Sequence, residues 1–440
     1  MDRYAVNQVN IIDLFAGPGG LGEGFSAYRN DSAVNPFRIR MSVECESSAH
    51  RTLTLRAMYR YLQGQGELSA YDKYVTGEME SDDFLALFPE EWDQARLETL
   101  HGPKKLGEDN ALIHARIREL KKSDSRSPWI VIGGPPCQAY SIVGRSRNQG
   151  ISGYRVENDH RYFLYEEYLS VLAIAQPDAF VMENVHGILS AKLGGNLIFP
   201  QICERLRNPS KSTGQKKRSG QRKYTLYSLV SEPDMLSSEN IGYSDPKSYL
   251  IRSECYGVPQ ARHRVILLGV ADDIHTRPSI LKPAEIAPVE HVLTGLPPLR
   301  SRLSKQPDSA AIWSERLKAR GLILERELRK QGNDSVADVI GQITRQLKST
   351  APTAGYRYRN NPISRRASAN LADWITSDLP SQVLNHDTRS HMEGDLVRYM
   401  FCASWARVNQ NLRNPCPKPE DYTDSIQPDH ANWRSGKFTD

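Results

Sequence analysis

Val9-Asn-Ile-Ile-Asp-Leu-Phe-Ala-Gly-Pro-Gly-Gly-Leu-Gly22 is the stretch that decides the fold. An apolar run, Val9–Phe15, feeds a Gly-x-Gly-x-x-Gly turn over Gly17, Gly19 and Gly22, after which a helix is expected to start. Glycines at this spacing let the backbone approach a nucleoside ligand closely, and an acid about 20 residues on can accept ribose hydroxyls. Glu44 lies 22 residues past Gly22, at the end of a short second strand, Arg38–Glu44. NAD and S-adenosylmethionine both satisfy these residues, and two details favour the methyl donor. Asp13 stands just before the turn, where a zwitterionic amino-acid tail could be held. Pro18 removes a backbone donor that a pyrophosphate would use.

Outward from this loop, strands and helices alternate. A helix is expected over Ser47–Leu62, then a polar, irregular stretch over 63–128 with one helix at Ala111–Lys121. Strands follow at Trp129–Ile132 and Asp178–Met182, with a helix at Phe163–Ala175 between them. Ser248–Cys255 and Val265–Val270 supply two more strands. Such alternation over about 270 residues predicts a doubly wound, mostly parallel α/β sheet of Rossmann-like type. The pattern breaks after Val270. Residues 271–300 are Pro-rich, charged helices are expected near Ala310–Lys330 and Gly394–Arg407, and few strand signals remain. The expected division is a catalytic and cofactor-binding domain, 1–272, and an irregular substrate-facing region, 273–440.

Reactive side chains fall where strands end. Trp129-Ile-Val-Ile-Gly-Gly-Pro-Pro-Cys137 runs an apolar strand into a rigid turn that presents one thiol. Two prolines lock two φ angles, a setting that suits a nucleophile more than a structural cysteine. Glu183-Asn184-Val185 follows an apolar strand, and Gln260-Ala-Arg262-His-Arg264 offers two guanidiniums at i, i+2 just before the next. Ligands of open α/β sheets gather at carboxyl ends of strands. A thiol, a carboxylate and paired cations suit addition to C6 of a pyrimidine: the thiolate adds, a proton or strong hydrogen bond serves N3, and a cation takes charge near O2. C5 then becomes nucleophilic toward a methyl sulfonium. His160 and His263 are candidates for a neighbouring base, with core or surface placement the ordinary alternative.

Composition bounds the rest. The chain has 440 residues, 39% hydrophobic and 25% charged, with a net charge of +5. That is enough for two domains and a large core. No apolar run approaches the roughly 20 residues of a membrane span, and no signal pattern opens the chain, so a cytoplasmic, nucleoid-associated monomer is expected. The six cysteines are widely separated with no Cys-x-x-Cys pair, which argues against zinc and a disulfide framework; no metal is expected. Lys211, Lys216, Lys217, Arg218, Arg222 and Lys223 cluster in a Gly/Ser/Gln-rich segment. They read as a solvated loop or, alternatively, as phosphate contacts.

Asp13-Leu-Phe-Ala-Gly-Pro-Gly-Gly, Gly134-Pro-Pro-Cys-Gln, Glu183-Asn-Val and Gln260-x-Arg-x-Arg resemble, in order, the motifs of the cytosine-C5 DNA methyltransferases. The resemblance covers about residues 9–270. It implies a Rossmann-like S-adenosylmethionine-dependent DNA methyltransferase, with Cys137 the nucleophile and Glu183 engaging N3 and the exocyclic amine. Arg262 and Arg264 would hold the base and nearby backbone. Asp13, Phe15, Gly17, Gly19, Glu44 and Pro135 would line the cofactor pocket. Pro136, Gln138, Ser141, Asn184 and Gln260 would contact substrate. Ala139–His160 is similar to the mobile loop that closes over a flipped-out base. Double-stranded DNA is the implied partner, with restriction–modification or related defence the setting and a cognate endonuclease a further partner.

The family's closing Thr-x-Arg-Glu and Gly-Asn-x-Val segments do not follow the variable region. Gly332-Asn-Asp-Ser-Val336 has one residue too many and comes too early, and the sequence stops at Gly436-Lys-Phe-Thr-Asp440. A truncated, split or degenerate member is therefore expected, with part of the sheet backing and cofactor wall missing. Asn385-His-Asp-Thr-Arg-Ser-His391 resembles part of the recognition region in larger members and is expected to touch DNA; His386 and His391 as metal ligands are the lesser alternative. Three other readings stay open: a tRNA cytosine-C5 methyltransferase, a catalytically inactive DNA-binding module, and an NAD oxidoreductase. The last leaves Cys137, Glu183 and the arginines without roles.

Overall fold

A computed structural model describes residues 8–136, 164–193, 195–213, 221–236, 241–294, 296–305, 307–348, 352–359, 383–412, 416–428 and 433. The chain divides into two compact units, Met1–Val292 and Leu293–Asp440.

The first unit is built on a seven-stranded sheet. Its strands are β1 (Val9–Leu14), β2 (Phe37–Val43), β3 (Trp129–Gly133), β4 (Ala179–Val185), β5 (Tyr224–Tyr227), β6 (Leu250–Arg252) and β7 (His263–Ala271), ordered β6-β7-β4-β3-β1-β2 with β5 also on β7. β2, β1, β3 and β4 run parallel. β7 runs antiparallel to β4, and β5 and β6 antiparallel to β7. The expected doubly wound, mostly parallel α/β sheet is present. The antiparallel β7 explains how a motif that precedes its strand reaches the same sheet end as motifs that follow theirs.

Alternation sorts the two faces. Ile12, Leu14, Val131, Phe180, Met182, Val265 and Leu267 point to the main core, which Ile113, Ile117 and Leu120 of a helix at Asn110–Ser123 help to fill. The opposite face carries Ile11 and Ile132, packed against Leu21 and Phe25 of α1 (Gly20–Ala27). In β2 the register slips between Ile11 and Ile12, so Arg40 is an extra residue. Such a bulge flips the parity: Ile39 joins the α1 face, whereas Met41 and Val43 join the main core.

Two expectations are corrected here. The stretch 63–128, expected to be irregular with one helix at Ala111–Lys121, holds that helix as α6 (Asn110–Ser123) and three more: α3 (Ser69–Val75), α4 (Ser81–Leu87) and α5 (Pro89–Glu98). Phe84, Ala95 and Tyr71 of this group pack on α2 (Ser47–Gln65) through Ala57, Met58 and Leu62. Burial of these few side chains stabilises helices too short to form alone. The strand expected at Ser248–Cys255 shrinks to Leu250–Arg252, with 3₁₀ turns on either side.

The second unit is a helical cluster. After α7 (Leu164–Ala175) and α8 (Ile198–Arg207) in the first unit, α9 (Ala310–Lys330), α10 (Asp334–Gln346) and α11 (Glu393–Val408) enclose Leu317, Leu324, Leu328, Ile340 and Phe401. A hairpin of β8 (Gly355–Arg359) and β9 (Val383–Asp387) adds strands where few were expected. Gly332-Asn-Asp-Ser-Val336 closes α9 and opens α10. No described helix is long and apolar enough to cross a membrane.

Candidate active site

Parallel pairing puts the carboxyl ends of β1 to β4 at one end of the sheet. There the chain leaves β1 through Phe15 at φ +55°, Gly17 at +57° and Gly19 at +104°. A phenylalanine in the left-handed region is strained, and such strain persists where the surroundings over-determine it. A side-chain carbon placed on Gly17 would meet nothing within 4 Å. Its conformation and the open space beside it leave room for a ligand close to the backbone.

Glu44 is tied to that loop. One carboxylate oxygen accepts the Gly17 N–H at 2.8 Å and the other accepts the Glu46 N–H at 2.6 Å. Each oxygen keeps a lone pair, so the carboxylate can brace the turn and still receive hydroxyls. Behind the loop, Glu23 of α1 is gripped by Arg56 at 2.7 Å and Arg60 at 2.6 Å from α2.

Asp13 is fully buried, and neither carboxylate oxygen has a hydrogen-bond partner. A side-chain carbon on Gly22 would fall 2.8 Å from its Oδ2, so the carboxyl lies directly under α1. Burial pushes its pKa up to about 8, with Arg60 pulling the other way. The folded state holds this proton to about pH 8, whereas an exposed aspartate releases it near 3.8. Asp13 therefore adds stability that is fully present below pH 3.8 and is lost as pH rises toward 8. Asp13→Asn should flatten that fall and leave the variant more stable than the parent at high pH. Urea unfolding at mildly acid and mildly alkaline pH measures it; equal pH slopes in both proteins would refute it.

The Pro-Pro turn and the Glu-Asn-Val segment are joined directly. β4 runs through Val185, so Glu183 lies within the strand and not after it. β3 stops pairing with β4 at Gly133↔Met182, which leaves Glu183–Val185 paired only with β7. Over that overhang sits the turn. The buried Asn184 donates through Nδ2 to the Pro135 carbonyl at 3.2 Å, and its Oδ1 accepts the Val185 N–H at 2.9 Å. A side-chain carbon on Gly134 would lie 3.0 Å from Glu183 Oε2, and one on Gly133 only 2.6 Å from the Leu14 carbonyl. Gly133 is needed for this close approach, whereas a side chain at Gly134 would press on the end of Glu183. Asn184, expected to contact substrate, instead holds the turn that leads to Pro136. Asn184→Ala should cost about 1–3 kcal/mol of stability, because it removes the partner of the buried Pro135 carbonyl and of the half-buried Val185 N–H. Urea unfolding checks it, and an unchanged midpoint would contradict it.

Arg264 completes the group. It stands opposite Val185, with Glu183 opposite Ile266, so Arg264 and Glu183 are diagonal neighbours on one face. Arg264 Nε lies 2.7 Å from Glu183 Oε1, a close ion pair that is not aligned as a hydrogen bond. Both side chains stay about a quarter exposed, at 24% and 28%. Arg262 and Gln260 precede β7 and are exposed. The Arg262 carbonyl accepts from the Ser253 N–H at 3.2 Å and from the Ser253 hydroxyl. Its guanidinium makes no hydrogen bond or ion pair among the described residues. His263 pairs with Glu254 at 2.7 Å and belongs to the other strand parity from Arg264. Cys137, Gln138, Ser141, His160 and the loop Ala139–His160 lie outside the described residues, as do Lys216, Lys217 and Arg218.

Two further expectations change. Arg222, read with a basic phosphate-contacting loop, is bound to Asp178 at 2.9 Å and Asp273 at 3.0 Å. His386, offered as a metal ligand or DNA contact, places Nε2 2.7 Å from the Pro297 carbonyl, and His391 sets its ring edge-on to Tyr399. The turn-holding role of Asn184 was not legible, since its partner is 49 residues away.

The site thus joins a glycine loop on an α/β sheet to a Pro-Pro turn seated on a carboxylate with an arginine beside it. Residues 66–209 match the family model for C-5 cytosine-specific DNA methylases. The type II methyltransferase M.Bpa9945I of Bacillus paralicheniformis is 33% identical over 59% of this chain and 53% of its own length. The type II methyltransferase M.BspRI of Lysinibacillus sphaericus is 26% identical over 62% and 47%. A solved structure described as a DNA modification methyltransferase encoded within an E. coli prophage is 21% identical, covering 68% of this chain and 59% of its own, with a TM-score of 0.38. Over these spans the chain is similar to DNA (cytosine-C5) methyltransferases. It spans about half the length of the curated relatives it matches.

Proposed function

We propose that this chain transfers a methyl group from S-adenosylmethionine to C5 of a flipped-out cytosine in double-stranded DNA. The observation that carries this reading is the Gly134–Pro135 turn seated on Glu183 and Asn184 with Arg264 on the same carboxylate. Cys137 comes one residue after that turn's second proline.

The residues divide the work as follows. The Cys137 thiolate adds to C6, forming the S–C6 bond and moving the C5=C6 electron pair toward N3. Glu183 supplies a proton or a strong hydrogen bond at N3, so negative charge does not build on the ring. Arg264 orients the Glu183 carboxyl and, with Arg262, offers cations to the base and its phosphate. C5, now electron-rich, would take the methyl that the donor supplies when bound, with the donor's thioether as the leaving group. Transfer of the C5 proton to a water molecule then re-forms the C5=C6 bond and expels the thiolate, and the N3 proton returns to Glu183. The loop at Phe15, Gly17 and Gly19 and the Glu44 carboxylate would hold the methyl donor, which supplies an electrophilic methyl when bound. Their fit rests on the left-handed loop, the open space at Gly17 and the spare lone pairs of Glu44.

The relatives' type II designation suggests a restriction–modification setting in the cytoplasm, with a cognate endonuclease. Incubation with label-bearing methyl donor and either unmethylated duplex or tRNA tests the reading. Label on duplex cytosine alone is expected. Label on tRNA alone, or on neither, would overturn it.

A further inference from the structure

A cavity of about 470 Å³ opens at the opposite end of the sheet, beside Phe37–Ile39 at the start of β2. β2 is the edge strand. The cavity's walls come from α1, β2 and α2, and its charge is one-sided. Three guanidiniums, Arg29, Arg38 and Arg60, face a single carboxylate, Glu98.

Two of these charges cancel within the protein. Arg60 reaches the buried Glu98 at 2.6 Å and Glu23 at 2.6 Å. Arg29 uses one nitrogen on the Ser26 and Tyr28 carbonyls, which leaves its charge without a counter-ion. Arg38 makes no hydrogen bond or ion pair among the described residues. Arg40, the extra residue of the bulge, is paired with Asp124 at 3.7 Å and so gives Arg38 no counter-charge, while burial and Arg38 lower its pKa. Crowding like charges costs folding energy, and a bound anion would relieve it. The Tyr61 hydroxyl, also without a partner among the described residues, adds a neutral donor to the same wall.

Arginine forks match phosphate oxygens, and a concave site of this volume suits a small molecule. We propose that this cavity binds a small phosphate-bearing anion, no larger than a nucleoside monophosphate, through Arg38 and Arg29. It lies at the other strand end from Glu183 and Glu44, so a ligand here does not compete for the candidate active site.

Calorimetric titration of the full chain at low salt, with inorganic pyrophosphate, thymidine monophosphate and thymidine, tests this. The phosphate-bearing probes should bind at a single site, and thymidine should not. Arg38→Ala and Arg29→Ala should each weaken binding by about tenfold or more. Arg38→Lys should fall between, and Arg326→Ala, on exposed α9, should change nothing. Circular dichroism and the urea midpoint establish that the variants fold. Three results would overturn the proposal: no saturable binding, unchanged affinity in Arg38→Ala, or full displacement by a short duplex, which would give Arg38 to the DNA backbone. The readout is independent of methyl transfer, so failure here leaves the functional reading untouched.

Discussion

Cys137→Ser is expected to reduce methyl transfer by about four orders of magnitude or more while leaving non-covalent duplex affinity nearly unchanged. Removing a covalent nucleophile costs this much because the group acts as a unit with its base and donors. A serine hydroxyl at the same place is far less ionised than a thiol near neutral pH. The turn that leads into position 137 is held on both sides. The Pro135 carbonyl is pinned by Asn184, and Gly134 packs against Glu183. The two prolines then fix the backbone direction into position 137. Among the described residues, Cys45, Cys255 and Cys416 are exposed and Cys203 is buried, its thiol pushed up to about 12. Single-turnover transfer together with equilibrium duplex binding measures the effect. Retention of transfer within about tenfold would remove the nucleophile from Cys137.

Glu183→Gln is expected to lower the rate by about 10²- to 10⁴-fold, the range for losing a positioned acid. Glutamine keeps the size and one acceptor oxygen but cannot give up a proton. It also leaves Arg264 without a charged partner at 2.7 Å. The loss should fall on kcat and spare KM for duplex, since the carboxyl acts on charge that develops during addition. A steady-state comparison separates the two. A rise in KM at unchanged kcat would reassign Glu183 to binding.

The sequence was most legible where chemistry and strand ends coincide. The glycine turn, the Pro-Pro turn and Glu183 all follow apolar stretches, and the sheet brings Gly134 and Pro135 against Glu183 and Asn184. Less legible was anything set by distant contacts. Asn184 could be seen as part of a motif, but only folding shows it gripping Pro135. Helices α3 to α5 were hidden because their apolar residues are few and their partners lie on α2. The signals were nonetheless present: Pro89 at the first helical position, with Glu90 and Glu91 after it, is a strong start. Arg222 looked like a free cation because Asp178 and Asp273 are 44 and 51 residues away. The bulge at Arg40 has no local marker, yet it sets which side of β2 faces each core.

In the proposed reaction Cys137 bonds to C6 of a cytosine held by Glu183 and Arg264. A duplex carrying 5-fluorocytosine tests it most directly, because fluorine at C5 cannot leave as a proton does and the adduct should be trapped. With methyl donor present, the wild-type chain should form a denaturation-resistant protein–DNA complex whose mass equals chain, strand and one methyl group, mapped to Cys137. Cys137→Ser should form none. An adduct on another residue, or none from a chain that binds the duplex, would contradict the claim.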